Sequence, residues 1–387
     1  MTTLFSRSIL SQLNILILVV NQQGNIEYVG PSVKPLLGYE PESLLGQGWW
    51  DLTRKNERER FSNKTEIVNI LNGKEAIKPV SFERAITASD GTIKWILWNI
   101  SYNDNNTLIG IGHDITTRKR AENLLQEKNK ELQLKNTEIG QSIEYAKRIQ
   151  EAITQEPGML NMLFGDAFIL YKPRDIVSGD FYWYYKKGNK VFVAAVDCTG
   201  HGVPGAMMSV MANGLVHEAI VKKGIENPGD ILNAIDSELS ARLSKADGTV
   251  ATPDGMDIAL TVFDYDTLTV SYAGAFRPLI LVRNNEITEY RGSRYPIGFY
   301  EDVVKTFDTQ TIPLQQGDRI YLFSDGYVDQ FGGEERKKLN RKRFYELLLN
   351  IQTMKMEEQK AYLEYAFTNW KQDEIQTDDI LVVGLEV

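Results

Sequence analysis

Four stretches in the C-terminal half of the chain put an aspartate where an apolar run meets glycine or another small turn former. They are Ser178-Gly179-Asp180, Asp197-Cys198-Thr199-Gly200-His201-Gly202, Ser324-Asp325-Gly326 and Thr377-Asp378-Asp379. A carboxylate on a rigid strand end with glycine beside it lets a cation come close, and carbonyls and waters complete the shell. Hard oxygen donors of this kind select Mg²⁺ or Mn²⁺ over zinc, which is bound through histidine and cysteine. Taken singly, an Asp-Gly pair reads as a turn; four such places in one segment point to a shared cation site. Near them, His201 is suited either to donating a proton to a leaving oxygen or to fixing its loop by hydrogen bonding. Arg174 offers a guanidinium fork that matches phosphate oxygens, against the plainer reading of a surface arginine. Gly200 and Gly202 let backbone amides approach an anion, and Pro204 suits the first turn of a helix. His217 falls in a helical stretch and reads as ordinary.

The run Pro173-Arg174-Asp175-Ile176-Val177-Ser178-Gly179-Asp180-Phe181-Tyr182, then Asp197-x-x-Gly200-His201-Gly202-x-Pro204-Gly205-Ala206, Ser324-Asp325-Gly326 and Asp378-Asp379 carry a family resemblance in their order and spacing. From about residue 146 to 387 the chain resembles the SpoIIE/RsbU-type branch of the PPM (PP2C-like) phosphatases. The resemblance implies a sandwich of two antiparallel sheets flanked by helices, with a metal site at one end. It implies that Asp180 and Asp197 hold two divalent cations, Mn²⁺ or Mg²⁺, that the Cys198 backbone carbonyl adds a ligand, and that Asp325 and Asp378 complete the site. Water activated by two such cations attacks phosphorus in line, so no nucleophilic side chain is required. Cys198 agrees with that, because it lacks the phosphate-cradling loop and trailing arginine of a cysteine phosphatase. Two departures stand out: Phe276 where the family often has histidine, and Leu381 where it often has threonine. The implied substrate is a phosphoserine or phosphothreonine on a small regulatory protein, such as an anti-sigma-factor antagonist of the STAS type.

The elements that must position these residues are legible as short apolar runs. Residues 168–171, 191–197, 257–264, 268–273, 278–283, 319–323 and 380–385 read as buried or half-buried strands, and 205–221 and 229–243 as helices. Upstream, residues 118–155 change character: no proline, one glycine, and many Glu, Lys, Gln and Arg. Leu125, Leu132, Ile139, Ala146 and Ile153 fall seven apart, the stripe a parallel coiled coil requires. The companion stripe of Ala121, Lys128, Lys135, Ser142 and Ile149 is poorer, so pairing through it is marginal; the alternative is a single solvated helix. Pro157-Gly158 ends the segment.

The first 117 residues read as a small α+β unit of strands and turns, including a polar turn at Asn103-Asp104-Asn105-Asn106. A hairpin over 18–28, Pro31-Ser32 followed by Leu37-Gly38-Tyr39, Leu45-Gly46, Asp90-Gly91 before Trp95, and the closing Gly112-His113-Asp114-Ile115-Thr116 resemble the PAS family. That resemblance implies a five-stranded antiparallel sheet with helices on one face, used for ligand sensing and dimerisation. No thiol lies in this unit to form a flavin adduct, and its sole histidine, His113, sits in the closing strand and not on a helix where it would hold haem. The sensor's ligand is therefore unknown or none. Trp49, Trp50, Trp95 and Trp98 read as core, with a lined pocket as the alternative.

The whole chain, α+β in class, divides into a PAS sensor over 1–117, a coiled-coil signalling helix over 118–156 and a SpoIIE/PPM-type phosphatase over 157–387. Its net charge of −9 over 387 residues argues against nucleic acid or an anionic membrane as partner. A single cysteine excludes internal disulfides and accords with a reducing, cytoplasmic setting. The apolar stretch over 15–20 is too short to span a bilayer, which takes about 20 apolar residues. A homodimer through the PAS unit and the helix is the expected assembly. Two rivals remain: a pseudo-enzyme that binds a partner without hydrolysis, and a sensor histidine kinase, whose phospho-acceptor histidine the helix lacks.

Overall fold

The computed structural model describes residues 15–53, 80–103, 107–244, 254–298 and 304–387. The chain forms two compact units, 1–136 and 137–387.

In the first unit, β1 (Ile15–Val20), β2 (Ile26–Val29), β3 (Val80–Thr87), β4 (Ile93–Asn103) and β5 (Thr107–Asp114) make an antiparallel sheet in the order β2-β1-β5-β4-β3. Alternation on β1 sends Leu16, Leu18 and Val20 inward against helices α1 (Val33–Leu37) and α2 (Gly48–Thr53). Trp49, Trp50 and Trp98 are all core. Trp49 meets Trp98 edge-to-face at 5.5 Å between centroids, and the Trp50 indole N–H donates to the Gly24 carbonyl at 2.8 Å. Trp95 lies outside that core, with the Lys119 ammonium 5.6 Å from its ring centroid. His113 is exposed on β5. Residues 104–106 of the polar turn between β4 and β5 lie outside the described residues.

The closing Asp114-Ile115-Thr116 launches helix α3 (Thr116–Ile153). The Asp114 carboxylate accepts from the Thr116 N–H at 2.8 Å, occupying a donor that the first helical turn leaves free, and the Thr116 hydroxyl accepts from Trp95 N–H at 2.9 Å. Leu125, Leu132 and Ile139 are exposed along α3.

The second unit is a four-layer sandwich. A short helix α4 (Gly158–Phe164) leads to β6 (Ala167–Lys172), β7 (Asp180–Lys187) and β8 (Lys190–Cys198). After helices α5 (Gly202–His217) and α6 (Pro228–Leu243) come β9 (Gly255–Asp264), β10 (Thr269–Ala275), β11 (Leu279–Arg283), β12 (Glu286–Tyr290), β13 (Ile297–Gly298), β14 (Gln310–Pro313) and β15 (Arg319–Phe323). One sheet runs β14-β10-β9-β8-β7 with β13 on β9; the other runs β12-β11-β15-β18-β6, closed by the last strand, Ile380–Glu386. Helices α7 (Gly326–Asp329), α8 (Asn340–Ile351) and α9 (Met356–Lys371) follow β15, with a small hairpin of β16 (Phe331–Gly332) and β17 (Lys337–Lys338) between α7 and α8, and β18 comes after α9.

The strand β8 shows why both sheet faces must be covered. Its Val191, Val193 and Ala195 pack between the two sheets, while Phe192, Ala194, Val196 and Cys198 pack outward under α5 and α6. The far face of the second sheet is covered in the same way by Phe344, Leu348, Leu363 and Phe367 of α8 and α9. The strands expected from sequence are all present. Expected helix 205–221 starts earlier, at Gly202, and after His217 continues as a wider turn over Glu218–Lys222. β7 was not expected: its run of Phe181, Tyr182, Trp183, Tyr184 and Tyr185 is aromatic throughout, without the aliphatic residues that mark the other buried strands such as β8.

Candidate active site

Strand register assembles half of the site. Asp180 of β7 is the Cα partner of Asp197 of β8, and Asp197 is the partner of Asp257 of β9. Each shares a strand face with residues of the layer between the sheets, namely Tyr182, Ala195 and Ala259, so the three carboxylates emerge side by side where that layer ends. The other half comes from the facing sheet. Asp325 follows β15, and Asp378 and Asp379 precede β18; these two strand ends are stitched by Ser324 N–H donating to Leu381 O and Leu381 N–H donating to Ser324 Oγ, each at 3.0 Å.

Arg277, on the turn between β10 and β11, joins the two halves. One terminal nitrogen lies 2.7 Å from Asp197 Oδ2, 2.7 Å from Asp325 Oδ2 and 2.9 Å from Asp257 Oδ2. Asp379 is buried and organises the loop that precedes β7: its carboxylate accepts from the backbone N–H of Arg174 at 2.7 Å and of Gly179 at 2.8 Å. Asp378 Oδ1 accepts from the Asp379 N–H at 2.9 Å.

The four aspartates singled out in the sequence, Asp180, Asp197, Asp325 and Asp378, thus meet at one end of the sandwich. His201 lies at the rim, its Nδ1 3.0 Å from Asp175 Oδ2. The guanidinium of Arg174 donates to the Thr377 carbonyl at 3.1 Å, bracing the Asp378 loop. The Cys198 side chain is buried beneath α5 and its thiol is pushed upward by burial. The Cys198 carbonyl oxygen faces Gly179, 3.2 Å from where a β-carbon there would stand; the same β-carbon would lie 2.5 Å from Gly200 O, so only glycine fits there. Phe276 is half-exposed at φ 57°, and Leu381 is part of the inter-sheet core.

Sequence reasoning missed Asp257, Arg277 and the anchoring role of Asp379. A signal existed for the first: Asp257 interrupts an otherwise apolar strand two residues into it. Arg277 gave none, because nothing local says which carboxylates a turn arginine reaches.

Crowding raises the acids. Burial pushes the Asp180 carboxyl well up, and the neighbouring Asp197 adds to it. Asp197 is pushed to about 7 by burial, with Arg277 opposing and Asp325, Asp257 and Asp378 reinforcing. Asp257 is pushed to about 6, again chiefly by burial. Asp378 is raised by burial as well. Asp180 Oδ2 is buried with no hydrogen-bond partner. An all-oxygen set carrying more negative charge than one arginine neutralises, with a buried oxygen left unpaired, suits hard divalent cations. Among the described residues, no three acidic, histidine or cysteine side chains are already drawn into a coordination shell.

A sandwich of two antiparallel sheets with carboxylates from both converging at one end is the PP2C-like phosphatase fold. Residues 187–387 match the family described as Stage II sporulation protein E (SpoIIE), and residues 14–117 match the PAS domain. The chain belongs to the SpoIIE family and carries a PAS domain ahead of its phosphatase-like fold. The SiaA-PP2C domain of Pseudomonas aeruginosa is 33% identical, with a TM-score of 0.60 over 65% of this chain and 98% of that one. Phosphoserine phosphatase RsbP of Bacillus subtilis (strain 168) is 22% identical over 190 residues, 48% of this chain and 45% of the relative. The chain therefore matches less than half the length of that curated relative. No helix among the described residues is long and apolar enough to cross a membrane.

Proposed function

We propose that the protein is a metal-dependent phosphoprotein phosphatase, with a sensor over 1–117, a signalling helix over 118–156 and a catalytic domain over 157–387. The observation that carries this reading is the meeting of Asp180, Asp197, Asp325 and Asp378 at one end of the sandwich, with Asp180 Oδ2 buried and unpaired. Asp180, Asp197, Asp325, Asp378 and the Cys198 carbonyl would hold two divalent cations, Mn²⁺ or Mg²⁺. Such cations supply activation of water and charge stabilisation of the transferring phosphoryl oxygens. Asp379 holds the loop carrying Asp180 against the second sheet, and in this reading His201, held by Asp175, either fixes its loop or gives a proton to the leaving oxygen. Arg174 braces the Asp378 loop through Thr377, and in this reading its guanidinium positions the site and does not anchor phosphate.

The substrate class we propose is a phosphoserine or phosphothreonine on a regulatory protein, of which a STAS-type anti-sigma-factor antagonist is an example. RsbP, which is named a phosphoserine phosphatase, supports the phosphoserine assignment. Mn²⁺-dependent release of phosphate from an aryl phosphate and from a phosphoserine protein tests the reading, in wild type and in Asp325→Asn. Activity in the wild type and its loss in a folded variant are expected; a folded wild type inactive at every Mn²⁺ and Mg²⁺ concentration would favour a partner-binding pseudo-enzyme.

A further inference from the structure

Arg277 holds oxygens that the proposed cations need. Its turn is rigidly built: the buried Tyr272 hydroxyl donates to the Arg277 carbonyl at 2.5 Å, and the Arg277 N–H donates to Ala275 O at 2.7 Å. A β-carbon on Gly274 would stand 2.1 Å from that hydroxyl and 2.4 Å from that carbonyl, so the turn admits no side chain there. From this base the guanidinium, 8% exposed, sends a single nitrogen to Asp197, Asp257 and Asp325.

The fit is unbalanced. A terminal guanidinium nitrogen has two hydrogens, and here they face three carboxylates, while the buried Nε–H finds no acceptor. Two of the three partners, Asp197 and Asp325, belong to the proposed cation set; the third, Asp257, does not. Asp257 is the in-register neighbour of Asp197 on the adjoining strand, so a guanidinium that leaves Asp197 and Asp325 still has Asp257 within reach.

We propose that Arg277 is an internal competing cation. It occupies Asp197 and Asp325 until a divalent ion takes them, then withdraws onto Asp257, so that the Arg277–Asp257 pair sets how much metal the site requires. Arg277 is thus a positioning residue, acting through the carboxylates. This inference rests on the cation site proposed above.

Calorimetric titration of Mn²⁺ into EDTA-stripped, buffer-exchanged full-length wild type and Arg277→Gln tests it. Removing a like charge at hydrogen-bonding distance from shared ligands is expected to tighten Mn²⁺ binding by about tenfold or more. A merely structural role for Arg277 would leave the affinity unchanged or weaken it, and either result overturns the proposal while leaving the cation site standing. Failure of both proteins to bind Mn²⁺ overturns the site and the proposal together. Should Arg277→Gln not fold, a crystal structure of Mn²⁺-loaded wild type decides. Loss of the guanidinium's contacts to Asp197 and Asp325 supports the proposal, and their retention overturns it.

Discussion

Gln150, near the end of α3, holds both backbone polar groups of Ser178 with one side-chain amide: Nε2 donates to the Ser178 carbonyl at 2.6 Å, and Oε1 accepts from the Ser178 N–H at 3.1 Å. Nε2 also lies 2.8 Å from Ser209 Oγ on α5, and Ser178 Oγ accepts from the Asp180 N–H at 3.0 Å. Gln155 makes the same two-point bond to Tyr184, at 2.5 and 2.7 Å. β7 is an edge strand, whose outward backbone groups need partners; here α3 and the residues just after it bond to Ser178, just ahead of the strand, and to Tyr184 within it. The helix is thereby coupled to the strand that begins with Asp180.

Gln150→Leu removes both bonds, leaving the buried Ser178 N–H without its acceptor and the Ser178 carbonyl with only the 3.3 Å bond from Ser209 Oγ. We expect a loss of about 2–3 kcal/mol in thermal unfolding of the catalytic domain and a fall in kcat larger than the loss of folded protein explains. A kcat equal to wild type would show that the clamp is structural only, and that α3 does not reach the chemistry by this route.

The sandwich strands were legible in the sequence because apolar runs bounded by Gly, Asp and Asn carry their own boundaries, as at 319–323 and 257–264. Asp197, Asp325 and Asp378 were legible because each lies beside such a run, and Asp180 through the Ser178-Gly179-Asp180 pattern. β7 was not: unlike β8, equally buried on both faces but aliphatic, its run is aromatic, Phe181 to Tyr185, with no Val, Ile or Leu to mark a strand. Nor were the glutamine clamps or the reach of Arg277, which depend on residues such as Ser178 and Asp325 brought close only by the fold.

Asp180→Asn should separate stability from activity. The carboxylate is buried beside Asp197 and burial raises it, so a neutral amide of the same shape relieves like-charge crowding and offers a donor toward Asp197. In EDTA-treated protein at pH 8 we expect stabilisation of about 1–3 kcal/mol. Phosphatase activity should fall more than about a hundredfold, beyond the roughly 10–100-fold lost when an outer-shell partner is removed. Destabilisation of the variant would mean that Asp180 is neutral, or better paired than its surroundings indicate.

The pH dependence has a definite sign. Asp257 and Asp197 are pushed to about 6 and about 7, above the ordinary aspartate range. Between that range and these values the folded chain binds more protons than the unfolded chain, so the stability these groups contribute at acid pH is lost as pH rises through 6 and 7. Denaturant melts of EDTA-treated protein should show stability falling from about pH 5 to pH 8. Saturating Mn²⁺ should reverse the slope, because cations bind the deprotonated carboxylates. A flat profile without metal would contradict the crowding described here.

Gly326 begins α7 where the two strand ends of the second sheet meet. A β-carbon there would stand 1.9 Å from the Asp379 carbonyl oxygen, a backbone atom that moves only with its loop. Gly326→Ala should therefore cost about 1–3 kcal/mol and force Asp325 away from Asp378 and Asp379. Activity at saturating Mn²⁺ is expected to drop by about tenfold or more in the fraction that stays folded. Wild-type activity in this variant would show that the spacing of these strand ends is not what the reaction depends on.

The stripe of Leu125, Leu132 and Ile139 on α3 is 63%, 56% and 56% exposed in a single chain, and it recurs every seven residues as a two-stranded seam does. Its companion positions Lys128, Lys135 and Ser142 contribute little apolar surface, so the proposed dimer should be concentration-dependent, held jointly by this seam and the PAS unit. Light scattering on the full chain should show a dimer that dissociates on dilution. Leu132→Lys with Ile139→Lys should shift it to monomer without moving the unfolding transition of the catalytic domain, since neither side chain belongs to a described core cluster. A wild-type chain that stays monomeric at tens of micromolar, or a double variant that dimerises like wild type, would remove α3 as the dimer seam and leave signalling to act within one chain.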